Sequence, residues 1–352
     1  MEFIYEYGLF LAQSVTLVAA VLILVAGVVS LGQKQKAAQH EGHIEIRNLN
    51  DRYRQIGDSL REVVESPEAV KADRKQHKKD VKAKSKAAKK QLKQGSPPAE
   101  RRPKLFVMSF DGDLRASAVD NLREEISAVL PQATDQDEVL VKVESPGGLV
   151  HGYGLAASQL KRITDAGVPL TVAVDKVAAS GGYMMACVAN RIIAAPFAVL
   201  GSIGVLAQLP NFHRLLKKHH IDFELYTAGE YKRTLTMFGE NTDKGREKFV
   251  QELEETHALF KDFVAQNRPE LDVAKAATGE VWYGQNALSE GLVDDLQTSD
   301  AYIQERIEDR DVFEIRYVMK KNWQEKLGMA AEGALEKAAL KLWQRGQGPG
   351  NY

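Results

Sequence analysis

One cysteine, Cys187, serves a chain of 352 residues. That scarcity excludes an internal disulfide framework and any metal site built from several cysteines, although a protein on the export side of a membrane can also lack disulfides. No internal repeat is evident, and neither a cofactor nor a metal is expected. Net charge is nearly absent too, at −1, but two opposite regions cancel to produce it. Residues 71–104 hold 14 Lys/Arg against 3 Asp/Glu, a local charge of +11, which leaves −12 on the rest of the chain. With 44% hydrophobic and 27% charged residues the composition is that of a globular chain, not a disordered or collagen-like one.

Asp, Glu, Lys and Arg are missing altogether from Tyr7 to Gln33, a run of 27 residues. About 20 apolar residues cross roughly 30 Å of hydrocarbon, so residues 1–33 are expected to form a transmembrane anchor. A cleaved signal peptide fits less well, because the leading segment carries Glu2 and Glu6 with no basic side chain and lacks a clear A-x-A site. Lys34 and Lys36 follow the run, and by flanking charge alone the body would be cytoplasmic.

Residues 34–103 read as a charged spacer. Ile46, Leu49, Tyr53, Ile56, Leu60 and Val63/Val64 predict a helix over 44–66, either a stalk or a helix docked on the body. The lysine-rich stretch after it reads as a solvated spacer, with attraction to anionic lipid head groups as the functional alternative. Gly95-Ser96-Pro97-Pro98 marks a boundary near residue 100. The body then alternates strand and helix. Strands are expected at 105–110, 139–143, 170–174, 191–195 and 223–227, and helices at 116–130, 151–163, 181–189 and 244–266. This order predicts an α/β domain with mainly parallel strands. Residues 184–207 are apolar enough to suggest a second span, but Arg191, Pro196, Gly201 and Gly204 interrupt them, and buried parallel strands read the same way. Trp282 and Tyr283 are expected in the core. A stripe of Trp323, Leu327, Ala331, Leu335, Ala338 and Leu342 has helical spacing.

Three glycine-bearing turns follow strands: Ser145-Pro146-Gly147-Gly148, Ala179-Ser180-Gly181-Gly182-Tyr183 and Gly201-Ser202-Ile203-Gly204. Ligands bind beyond strand ends in α/β sheets, and glycines let backbone N–H groups approach a ligand closely. Each turn alone is weak evidence, whereas the three together suit acyl transfer. Ser180 would attack a carbonyl, and the oxyanion would be held by the Gly181 N–H and one from Gly147 or Gly148. No histidine is an evident base. His213, His219, His220 and His257 read as surface residues, and only His151 follows a turn closely enough to line a cleft. A lysine starved of water is the other option for a base, but composition does not single one out.

These turns, with Gly229-Glu230-Tyr231-Lys232-Arg233 and Gly279-Glu280-Val281-Trp282 running to Gly291-Leu292-Val293-Asp294, resemble the signal peptide peptidase A-type serine proteases in order and spread. The resemblance implies a ClpP/crotonase-like fold over 104–300, followed by an extension at 301–352. It implies a Ser–Lys dyad, with Ser180 as nucleophile, Lys232 as general base and Ser202 orienting the lysine. It also implies a homo-oligomer in which serine and lysine meet across subunits, peptide substrates such as signal peptide remnants or fragments of membrane and exported proteins, contact with membrane lipid, and no nucleic-acid partner. The family's bodies usually face the export side of the bacterial inner membrane, against the charge reading above. Residues 233–238 lack a proline that some relatives carry. Two rivals remain: a crotonase-like enzyme acting on an acyl-CoA thioester, and a non-catalytic membrane scaffold.

Overall fold

The computed structural model describes residues 42–66, scattered positions from 68 to 86, and residues 101–319. The expected anchor, most of the lysine-rich stretch and the stripe at 323–342 lie outside them. Among the described residues no helix is long and apolar enough to cross a membrane. The chain divides into a main unit, Glu45–Arg316, and a small one drawn from residues 1–44 and 317–352. In the small unit the Gly42 N–H donates to the Tyr317 hydroxyl at 3.0 Å.

In chain order the elements are β1 (His43–Asn48), α1 (Leu49–Val64), β2 (Lys104–Asp111), α2 (Val119–Val129), β3 (Glu138–Glu144), α3 (Val150–Asp165), β4 (Leu170–Val174), β5 (Val177–Ala179) and α4 (Gly181–Ala186). They continue as β6 (Arg191–Ala194), β7 (Val199–Gly201), α5 (His213–Lys218), α6 (Asp243–Asn267), α7 (Val273–Ala276), β8 (Val281–Tyr283), α8 (Gly284–Ser289), β9 (Asp295–Leu296), α9 (Ser299–Ile307) and β10 (Asp311–Val318). The large sheet has the order β1-β10-β2-β3-β4-β6-β9. Its pairs from β10 to β9 are all parallel. A second sheet, β5-β7-β8, pairs parallel and then antiparallel.

Alternation along β2 splits its side chains between two layers. Leu105 and Val107 join Leu140, Ala173, Ile193 and Val312 in a core closed by Leu49, Tyr302 and Ile303 of α1 and α9. Phe110 points to the other layer and meets Tyr153 of α3 edge-on, with ring centroids 6.2 Å apart. Because both faces are covered, β3 and β4 read as continuous apolar runs. Each fully buried Leu or Ile contributes about 1.5–3 kcal/mol.

The structure departs from the sequence reading in four places. The helix expected over 44–66 begins at Leu49, because the Asn48 side chain caps it by accepting the Asp51 N–H at 3.1 Å. Ile46 therefore belongs to β1, and Ile56, Leu60, Val63 and Val64 remain exposed. No strand forms at 223–227, where the chain has no sheet edge to pair with and is exposed throughout. The segment 184–207 is mostly buried up to Ile203, broken by exposed Asn190, Pro196 and Phe197, and it contains β7, one of three short strands too brief to show a period. Tyr283 is not core: it is exposed and packs on exposed Phe197, ring centroids 6.4 Å apart.

Candidate active site

The short strands bring the three turns together. Ser145, just past β3, bridges Ala178 of β5, and Ala179 pairs with Gly201 of β7. Ser180 and Ser202 therefore leave neighbouring strand ends side by side. Both have left-handed backbone, φ 52 and φ 49, which costs a non-glycine residue about 1–2 kcal/mol and concentrates at functional sites. Backbone hydrogen bonds hold Ser180 there. Its N–H donates to the Gly201 carbonyl at 2.7 Å, and its carbonyl accepts the Met184 N–H at 2.9 Å. Ser180 opens α4, every residue of which is buried.

Gly147 sits directly against this serine. Its φ is +90, and a Cβ there would stand 2.7 Å from Ser180 Cβ and 2.8 Å from the Gly181 nitrogen, so only glycine fits. The Gly147 N–H is already committed, donating to Ser145 Oγ at 3.1 Å. Among the described residues neither the Gly148 nor the Gly181 N–H has a partner. Both residues line a narrow cleft with Ser180. Of the two amides in this turn, only that of Gly148 is thus free to meet a ligand, while Gly147 makes room for Ser180 by having no side chain. Val150, Met184, Val205 and Phe260 make the rest of the cleft mostly apolar, with Thr256 the polar exception.

The remaining site candidates do not line the cleft. Ser202 is half-buried, and its N–H donates to the Glu280 carbonyl at 2.6 Å. Lys232 is exposed and does not line the cleft. It sits in a long stretch, Gly204 to Leu259, in which no residue is buried. His151 is exposed. His257, read from sequence as a surface histidine, is half-buried, and its Nε2–H donates to the Ile203 carbonyl at 3.2 Å, bracing the third turn against α6. Burial pushes the Cys187 thiol up to about 12, so it is no thiolate nucleophile near neutral pH.

A profile of the N-terminal part of peptidase family S49 matches residues 2–160, and one of peptidase family S49 itself matches residues 162–312. The chain belongs to peptidase family S49. It is 52% identical over 327 residues to the Probable protease SohB of Haemophilus influenzae, covering 93% of this chain and 92% of that one. It is 47% identical over 304 residues to the Probable protease SohB of Buchnera aphidicola subsp. Schlechtendalia chinensis, covering 86% and 99%. Likeness to the Protease 4 of Haemophilus influenzae is lower, 29% over 201 residues, with 55% of this chain and 32% of that one covered. Membership in S49 makes the chain a serine-type peptidase and sets aside the acyl-CoA and scaffold rivals.

Sequence reasoning missed two contributors to this S49 site. Phe260 and Thr256 of α6 reach the cleft wall from far along the chain. Their i, i+4 spacing marks one helix face, but nothing local says where that face docks. Tyr153 and Ser145 were read as part of a helix and a turn, and their hydrogen bonds appear only in the folded chain.

Proposed function

We propose that this S49 peptidase is an endopeptidase with a Ser180–Lys232 dyad completed between chains of a homo-oligomer, on a ClpP/crotonase-like body. One observation carries the reading. Ser180, with two unpartnered N–H groups beside it, is built into the core of a single chain, whereas Lys232 lies on an exposed stretch away from the cleft. That stretch leaves Leu206, Leu215, Ile221, Phe223 and Phe238 uncovered, an apolar surface of the kind that a partner buries. A neighbouring chain covering it would desolvate a lysine and bring it to a serine.

In the proposed cycle, neutral Lys232 takes the Ser180 hydroxyl proton as Oγ bonds to the scissile carbonyl carbon. The oxyanion accepts from the Gly148 and Gly181 N–H groups. The C–N bond breaks as the lysine returns the proton to the leaving amine. Water then attacks the acyl-enzyme, the lysine takes its proton, and Ser180 leaves with that proton restored. Ser202 orients the lysine. Substrates are extended apolar peptides, such as signal peptide remnants or membrane and exported protein fragments. The apolar cleft wall supports this, as does the charge-free run from Tyr7 to Gln33, which reads as an anchor in the bacterial inner membrane. The catalytic body then stands on the periplasmic side, close to membrane lipid.

Peptide hydrolysis by full-length wild type, Ser180→Ala, Lys232→Ala and a co-assembled mixture of the two variants tests the proposal. Each variant alone should lose at least about 10⁴-fold in kcat, and the mixture should recover a fraction of wild-type turnover. Full turnover by Lys232→Ala would remove the dyad. A mixture as inactive as its parents would place both residues in one chain.

A further inference from the structure

A closed relay of hydrogen bonds lies beneath the first turn. The Tyr153 hydroxyl donates to the Asp113 carbonyl at 2.7 Å, which uses its single proton. At 2.5 Å from Ser145 Oγ, the phenol oxygen can therefore only accept, and Ser145 is the donor. The lone pairs left on Ser145 Oγ take the Gly147 N–H at 3.1 Å. The chain runs one way, from Gly147 N–H through the Ser145 hydroxyl and the Tyr153 hydroxyl to the Asp113 carbonyl. Every group in it is satisfied, and such chains polarise one another cooperatively.

Tyr153 touches the other donor as well. Its ring lies against Gly181, where a Cβ would collide with Tyr153 Cγ. Both Tyr153 and Ser145 are fully buried, and α3 carries the tyrosine on the helix that begins just past Gly148. One side chain thus supports both walls of the oxyanion hole, with its ring under Gly181 and its hydroxyl holding the Gly147 turn through Ser145. Burial holds the phenol above its ordinary value, so the donor to Asp113 persists into the alkaline range.

We propose that Tyr153 is a positioning residue of the oxyanion hole, which rests on Ser180 being the nucleophile. Through Ser145 it occupies the Gly147 N–H and leaves the Gly148 N–H as the one donor that the turn presents to substrate. Without the relay the Gly147 N–H is unpaired, the turn can rotate, and two adjacent amides compete for one oxyanion position. Transition-state binding suffers, whereas ground-state binding of the peptide through the apolar wall does not.

The test uses full-length Tyr153→Phe, Ser145→Ala and the double variant, with active sites counted by exhaustive labelling with a fluorophosphonate. Per labelled site, Tyr153→Phe should lower kcat about 10–100-fold, less than outright loss of an oxyanion donor, with KM within about twofold. Affinity for a peptide aldehyde, whose hemiacetal carries the oxyanion, should fall by the same factor, while a product peptide binds unchanged. Ser145→Ala should match it, and the double variant should be no worse than either single, since all act on one relay. Ser145→Ala carries the test alone if Tyr153→Phe does not accumulate. Wild-type kcat per labelled site, or a loss shared equally by aldehyde and product peptide, would overturn the proposal. A Ser180→Ala enzyme that still hydrolyses peptide would instead overturn the reading of the nucleophile.

Discussion

Two stretches of one chain treat their apolar residues in opposite ways. Between Leu105 and Ile203 most of them close over a parallel sheet, with Leu114, Leu155 and Phe197 among the exceptions, and α4 behind Ser180 is buried to its last residue. Between Gly204 and Leu259 not one residue is buried, although Phe212, Phe223 and Phe238 cluster there with ring centroids 6.0 and 5.8 Å apart. The difference is one of period. In the first stretch apolar runs of strand length alternate with helical faces that cover them. In the second, two helices form, His213–Lys218 and the start of α6, but the apolar residues between them find no sheet edge. Ser180, the proposed nucleophile, stands in the first stretch, and Lys232, its proposed base, in the second.

Gly147→Ala attacks the self-sufficient half and should have the largest effect. A left-handed alanine with its methyl against Ser180 should cost about 2–4 kcal/mol of stability and at least about 10³-fold in kcat, read by denaturant unfolding and peptide hydrolysis. An alanine variant with normal turnover would mean that the turn does not abut the reacting serine. Phe238→Glu attacks the other half. It should leave unfolding of the body within about 0.5 kcal/mol, yet reduce turnover about 100-fold and shift the sedimentation coefficient toward the single chain. Unchanged assembly and activity would break the contrast drawn here.

The smallest effect concerns the ion pair behind α4. Partial desolvation opposes ionisation of the exposed Asp294, but two hydrogen bonds from Arg268 and one from the Ile192 N–H hold its carboxyl below the usual range. A carboxylate depressed in the folded state stabilises above its unfolded value, near 4, and that contribution is lost as pH falls through the folded one. The melting temperature should therefore drop on acidification below about pH 4, by about 2–4 °C attributable to this pair. Asp294→Asn should flatten that part of the profile. An identical acid limb in the variant would assign the loss to other carboxylates, Asp137 first among them, since its bonds from Lys104, Thr134 and Arg101 outweigh its burial.

The alternation from Leu105 to Ala194 was legible because strands and helices of this length carry a clear apolar period. Ser180, Gly147 and Gly148 were legible only jointly: each turn alone is a common one, but three of them, each after its own strand in one domain, form a specific pattern. The strands Val177–Ala179, Val199–Gly201 and Val281–Tyr283 were not, since three residues show no period. The apparent strand at 223–227 misled for the opposite reason: apolar composition was present, and a pairing edge was not. Nothing marked Tyr153 within the helix expected at 151–163, because its hydrogen bonds run to Asp113 and Ser145, which precede it by 40 and 8 positions.

By itself the sequence determined an α/β body, the serine on its sharp turn and the glycines that flank it, because these follow from local steric rules and short-range periodicity. Only the tertiary structure decided which amide of the Gly147-Gly148 turn stays free, that Tyr153 touches both Ser145 and Gly181, and that Lys232 stands outside the cleft of its own chain. Hydrogen-bond partners and burial are set by residues far apart in sequence, and no local pattern encodes them.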